Sequence, residues 1–300
     1  MKPLLFGVLC AGLLGQAPVQ AFDQSADELP GLGHASLGWQ QDSDEGDSAA
    51  LALALPLSPV WYLNASAVRA NSQMATLSGS ESVQATSTRL GLSLEQSGWG
   101  GGLSLLRYDD DMLLKTDEAQ LALRHRGEQL ELGLELSKRS HEVSVTLQFP
   151  LQVREYSESF DSRGVGANIA ISSESGLRAY GALQQYDYDD ARVLSDQFGQ
   201  YLLSHPRLYL AMLTTRQLAQ GGLAKRNGWL GVDVPVAEHL LTFEHFVSVP
   251  ELDDGSFRTD SVTLALNLGE RWGLDLNAGI NRGEQGDDIR FAGLTAHVFW

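Results

Sequence analysis

Apolar and polar residues alternate with period two along most of the chain. In "EQLELGLEL", Leu130, Leu132, Leu134 and Leu136 share one side, and Glu131, Gly133 and Glu135 the other. "EVSVTLQF" sets Val143, Val145, Leu147 and Phe149 against Ser144, Thr146 and Gln148. "SVTLALNL" sets Val262, Leu264, Leu266 and Leu268 against Thr263, Ala265 and Asn267, and "GLDLNAGIN" repeats the pattern from Leu274 to Ile280. Successive side chains of a strand point to opposite faces, so each run predicts a strand with one apolar face. Similar runs occur at 34–40, 49–57, 60–70, 83–94, 100–107, 113–124, 165–172, 177–184, 208–214, 229–236 and 240–247. Helical spacing is rare, so the chain reads as all-β.

A soluble sandwich and a transmembrane barrel both use half-apolar strands. In the membrane barrel the apolar face meets lipid, and the inner face carries small and polar residues. Here the second face is rich in Gly, Ser, Thr, Asn, Gln, Glu and Arg. The connections separate the two architectures, because their lengths alternate. The short set is 57–59, 96–98, 126–128, 173–176, 236–239 and 269–271; the longer, more acidic set is 42–48, 71–82, 250–257 and 283–288. Tight periplasmic turns and longer external loops characterise outer-membrane barrels. Trp61, Trp99, Trp272 and Trp300 fall beside the tight turns, and Trp39, Trp229, Tyr108, Tyr186 and Tyr188 toward the other end. That distribution predicts two interfacial aromatic girdles.

The final segment, "RFAGLTAHVFW", places Leu294, Ala296, Val298 and Trp300 on one face. It resembles the assembly signal of Gram-negative outer-membrane β-barrel proteins, a last strand of alternating apolar residues ending in Phe or Trp. The resemblance implies that the barrel-assembly machinery reads this strand after delivery by periplasmic chaperones. It also implies closure by pairing with the first strand, around His34 to Gln40, and surroundings of outer-membrane lipid and lipopolysaccharide. The expected architecture is an antiparallel up-and-down transmembrane barrel over residues 34–300. About 16 strands are expected, with 12 to 18 admissible. Residues 151–164 read equally as strand or loop, and 191–213 as a hairpin or a loop helix.

The N-terminus adds compartment. "MKPLLFGVLCAGLLGQAPVQAF" has a basic residue, an apolar core and small residues before Ala21, as a secretory signal peptide cleaved before Phe22 requires. Its apolar core is too short for a membrane-spanning helix, which needs roughly 20 residues. Residues 22–33 are expected to form a short periplasmic segment. Cys10, the lone cysteine, would leave with the signal, so disulfides play no part in the expected fold. The formal net charge is −17, which disfavours nucleic acid as a partner.

Candidate chemistry is sparse. The seven histidines form no zinc-ligand motif, and there is no G-x-S-x-G elbow. Glu244 and His245 face opposite sides of a strand, which predicts a lumen carboxylate and an interface histidine. The acids at Asp109, Asp110 and Asp111, at Asp187, Asp189 and Asp190, and at Asp253 and Asp254 lack the spacing of a calcium loop. They are expected to ring the external mouth as solvated loop tips. Charged residues are costly against lipid, so Arg89, Glu95, Arg107, Arg124, Glu131, Glu135, Arg178, Asp233, Glu244 and Asp275 are expected to face the lumen. Opposed acids and bases there would set selectivity. The first functional reading is a passive porin-like channel with modest cation preference and no cofactor. The alternative is a closed barrel with a structural, adhesive or assembly role, and an outer-membrane enzyme comes third.

Overall fold

The computed structural model describes residues 32–76, 79–110, 114–149, 152–189, 223–250, 256–283 and 288–300. Fourteen strands make one closed antiparallel ring. They are β1 (His34–Asp42), β2 (Asp47–Pro56), β3 (Trp61–Thr76), β4 (Gly79–Gln96), β5 (Trp99–Asp110), β6 (Leu114–Arg126) and β7 (Leu130–Phe149). The chain continues through β8 (Gln152–Ser172), β9 (Arg178–Tyr188), β10 (Ala224–Val236), β11 (His239–Pro250), β12 (Phe257–Asn267), β13 (Trp272–Gly283) and β14 (Ile289–Phe299). β14 closes on β1 with His34 opposite Phe299 and Trp39 opposite Leu294. Closure satisfies the backbone donors and acceptors that a sheet edge would expose to lipid.

The count is fourteen, not sixteen, and β7 explains much of the difference. The runs at 130–136 and 143–149 are one strand of 20 residues. Along it, Leu130, Leu132, Leu134 and Leu136 face outward, followed on the same side by Lys138, Ser140 and Glu142. The inward side changes the other way, from Glu131 and Glu135 to a buried Val143. The strand leaves the apolar band after Leu136, so its outer face turns polar while its inner face begins to pack. A transmembrane strand needs about 9–11 residues, so the 20 of β7 and 21 of β8 extend beyond the membrane. Residues 151–164 therefore belong largely to β8, and 71–82 lie mostly in the β3–β4 hairpin. The run at 208–214 lies outside the described residues. The ring closes because β9 pairs directly with β10.

All six tight turns fall where the chain pattern puts them, at one end of the barrel. Ser97 and Gly98 form a two-residue hairpin turn with positive φ at both positions, 47° and 80°. This geometry matches the twist of the flanking strands. A Cβ on Gly98 would press on the carbonyl oxygen of Arg126. Trp61, Trp99, Trp272 and Trp300 are exposed on the outside of this end, forming the expected girdle. At the far end only Trp39 of the expected set faces out. Trp229 is 5% exposed and, with Tyr108, Tyr186 and Tyr188, occupies an inward position. Between the ends, the outer wall is a belt of exposed Leu, Val, Ile and Phe. An apolar belt this continuous on a monomer's surface is stable against lipid, not water.

Candidate functional site: the unevenly filled interior

The interior differs from one side of the barrel to the other. Along β4–β9 it is filled by charged, hydroxyl and aromatic side chains. Glu131 is a hub for three arginines: Arg126 at 3.3 Å, Arg178 at 3.5 Å and Arg124 at 3.8 Å. Arg124 also bonds Glu95, and Arg178 reaches Asp233 at 3.6 Å. Thr242 donates to Asp233 at 2.8 Å. Each charge in this chain of pairs is compensated, so the network binds five strands together near the tight-turn end.

A second layer lies further out. Arg139 donates to Glu118 at 3.0 Å and to the Tyr186 hydroxyl at 2.7 Å, with its guanidinium carbon 3.9 Å from the Tyr186 ring centre. Both charged partners are buried. Tyr186 reaches Arg139 because Gly164 stands opposite it on β8; a Cβ there would strike the ring. Beyond this layer, His141 lies 2.9 Å from both the Thr116 and the Ser162 hydroxyls. Val83, Leu114, Val143 and Leu223 then form a small apolar core, packed against Tyr108, Phe160 and Tyr188.

Along β10–β14 and β1–β3 the inner face is lined instead by small and hydroxyl residues such as Gly38, Ser48, Ala50, Ser261, Thr263 and Thr295. A cavity of about 1060 Å³ occupies this side and extends to the tight turns. Among the described side chains of these strands no Lys or Arg faces inward, whereas Asp233, Glu244 and Asp275 do. Asp275 accepts from Nε2 of His297 at 2.9 Å. Glu244 accepts from the Tyr180 hydroxyl at 3.2 Å. The open side is thus net acidic, while the filled side is balanced by internal pairing.

The expected lumen residues Arg89, Glu95, Arg124, Glu131, Glu135, Arg178, Asp233, Glu244 and Asp275 all lie on inward positions. They are not one constellation: Glu95, Arg124, Glu131, Arg178 and Asp233 join the network, whereas Glu244 and Asp275 stand on the cavity wall. Arg107 is a correction. It faces outward, well exposed and 3.9 Å from Asp117, above the apolar belt. His245 also faces outward, 2.7 Å from Asp260, which Arg282 bonds as well.

The acidic mouth needs a larger correction. Asp110 is buried on the inner face of β5, where it accepts from the Leu114 backbone at 3.0 Å and stands 3.4 Å from the Tyr108 hydroxyl. It closes the β5–β6 connection and is not a solvated rim. Asp109 sits on β5 opposite Lys115 of β6. Asp111, Asp253 and Asp254 lie outside the described residues. Sequence reasoning missed Glu118, Arg126, Arg139 and His141. The available signal was the inward phase of β6 and β7 carried past Leu136, where the change of polarity suggested a new strand. Among the described residues no group of three or more His, Cys, Asp or Glu is arranged to hold a metal ion.

No family model matches the chain, and no curated protein sequence is similar to it. Solved structures do resemble its fold. A monoaromatic hydrocarbon channel, CymD, superposes with a TM-score of 0.55 at 7% identity, covering 99% of this chain and 93% of that one. The translocator domain of the autotransporter NalP from Neisseria meningitidis gives 0.48 at 12% identity, with 97% and 96% covered. A loop-deleted OmpT of Vibrio cholerae gives 0.47 at 7%, with 90% and 98% covered. The last two similarities are too weak to carry an argument, and the first is one of fold alone. With its closed ring, apolar belt and tight-turn girdle, the chain is a β-barrel of the outer-membrane type.

Proposed function

We propose that the protein is an outer-membrane channel that passes small solutes passively, with a modest preference for cations. The observation that carries the reading is the cavity of about 1060 Å³ along one side of the interior, with Asp233, Glu244 and Asp275 on its wall. A low-dielectric wall focuses the field of such acids and raises the local concentration of cations. Arg178 offsets part of that field, so the preference is modest. The channel reading also suits the resemblance in fold to the hydrocarbon channel CymD. On this reading the chain is exported by a signal cleaved after Ala21. Periplasmic chaperones then deliver it, and the assembly machinery inserts it by reading Leu294, Ala296, Val298 and Trp300. Its neighbours are outer-membrane lipid and lipopolysaccharide.

A closed barrel with a structural role is the second reading. The packed layers around Arg139 and Val143 favour it. Reconstitution of the full chain in a planar bilayer separates the two. Stepwise conductance with a cation-preferring reversal potential is the expected result. A folded barrel that leaves the bilayer silent overturns the channel reading, and an anion-preferring potential overturns the assignment of these acids to the path.

A further inference from the structure

Glu244 differs from Asp233 and Asp275, the other strand acids that line the cavity. Glu95, Glu118, Glu131 and Asp233 each have an arginine partner, and Asp275 has His297. Glu244 makes no ion pair among the described residues. It accepts instead from the neutral Tyr180 hydroxyl. That contact is built across a strand. Tyr180 on β9, Gly231 on β10 and Glu244 on β11 share one level of the ring. The Tyr180 ring lies flat over Gly231, where any Cβ would collide with it. Glycine in a strand interior is costly unless something approaches the backbone closely, and here an aromatic ring does.

Two residues along each strand, Trp229 stands opposite Phe246, with ring centres 5.2 Å apart at 45°. Both line the cavity, as do Tyr180 and Glu244. On the facing side of Glu244, β12 presents Ser261 directly opposite and Thr263 and Thr259 on either side. Charged groups nearby are few. Asp233 adds negative charge, and Arg178, lying 5.5 Å from the Tyr180 ring, is shared between Glu131 and Asp233.

We propose that Glu244, Tyr180, Trp229 and Phe246 form a binding site for organic monocations, ammonium compounds bearing an aromatic or alkyl group. The inference rests on the permeation reading, and narrows its solute class. The carboxylate supplies charge attraction, while the faces of Tyr180 and Trp229 attract a cation through their quadrupoles. Phe246 and Trp229 accept the apolar flank. A hard divalent ion fits less well, because such ions take six or more oxygen ligands. One carboxylate ringed by aromatics does not provide them. The cavity is also far larger than a metal ion needs, and suits a solute of many atoms.

The test uses the full chain with benzylammonium as probe and benzyl alcohol as its neutral counterpart. In a planar bilayer carrying sodium current, benzylammonium is expected to block saturably, and benzyl alcohol at least tenfold less effectively. Glu244→Gln is expected to raise the half-blocking concentration at least tenfold, whereas Glu174→Gln, at an exposed tight turn, leaves it unchanged. Trp229→Leu is expected to weaken benzylammonium more than methylammonium. In parallel, benzylammonium is titrated against tryptophan emission of the detergent-folded protein, with Trp229→Phe as reference. A silent bilayer with a saturable emission change that Glu244→Gln removes would end the channel reading and leave the site standing. Conductance with no saturable block, or a block indifferent to Glu244→Gln, overturns the site and leaves the channel.

Discussion

Nε2 of His34, on the first strand, lies 3.0 Å from Nδ1 of His297 on the last. The pair bridges the seam at which the barrel closes. With a hydrogen on Nε2 of His297 donated to Asp275, Nδ1 of the same ring is placed to accept from Nε2–H of His34. The His34 ring also stacks on Phe299, with ring centres 4.6 Å apart. Beside it Gly33 and Trp300 exchange two backbone hydrogen bonds, at 2.9 and 3.1 Å, and the indole covers the glycine. The closure is therefore fastened by side chains as well as by the ladder.

His297→Ala removes the partner of buried His34 and of half-buried Asp275 at that seam, at a cost on the order of 1–3 kcal/mol. We expect the detergent-folded barrel to lose its heat-modifiable gel mobility several degrees lower than wild type. Asp275→Asn should have a smaller effect in the same direction. An unchanged transition in both variants would assign closure to the backbone alone.

The Arg139–Glu118 pair gives a sharper test of the filled side. Removing one partner leaves a buried charge uncompensated, which costs about 3–5 kcal/mol. Glu118→Gln and Arg139→Met should each destabilise the folded barrel in urea, and the double variant less than their sum. Strict additivity in a double-mutant cycle would mean that the two side chains do not interact.

The depth of the membrane band is readable from β7. Leu134 and Ser140 lie on the same outward side of one strand, 6 residues apart. Leu134→Arg puts a cation against lipid and should cost about 2–4 kcal/mol, whereas Ser140→Arg, beyond the apolar belt, should be tolerated. Folding yield into lipid vesicles measures both. Equal yields would place the belt elsewhere.

Selectivity should follow the cavity wall and not the outer surface. In a salt gradient near 0.1 M, Glu244→Gln should move the reversal potential toward zero, and the effect should fade at 1 M as screening shortens to about 3 Å. Asp109→Asn, facing outward opposite Lys115, should leave the potential unchanged. A shift from Asp109→Asn equal to that from Glu244→Gln would return the field to the rim.

Where lipid dictates one face, the sequence was legible. The period-two runs at Leu130 to Leu136 and Leu294 to Val298 are strands, the tight turns fall where predicted, and nine of the ten lumen candidates face inward, Arg107 being the exception. Legibility ended at the height where lipid ends. Above Leu136 neither face of β7 must be apolar, so the pattern inverts and one strand looks like two. Trp229 and Tyr186 misled for a related reason. An aromatic suits an interface or a packed interior equally, and only the glycine opposite Tyr186, on another strand, decides for the interior. The pairing of Glu118 with Arg139 joins residues 21 apart, and no local spacing announces it.

The uneven interior separates two properties that strand number is often taken to set together. Fourteen strands fix the circumference, but the packed layers on β4–β9 decide how much of the enclosed cross-section is free. Bore is therefore a side-chain property of this barrel. Substitutions such as a smaller residue at Tyr186 or Arg139 would widen the passage without adding a hairpin, in steps of one side chain. A lineage carrying this wall has a graded route between a sealed cylinder and an open pore, with every intermediate sharing the same ladder.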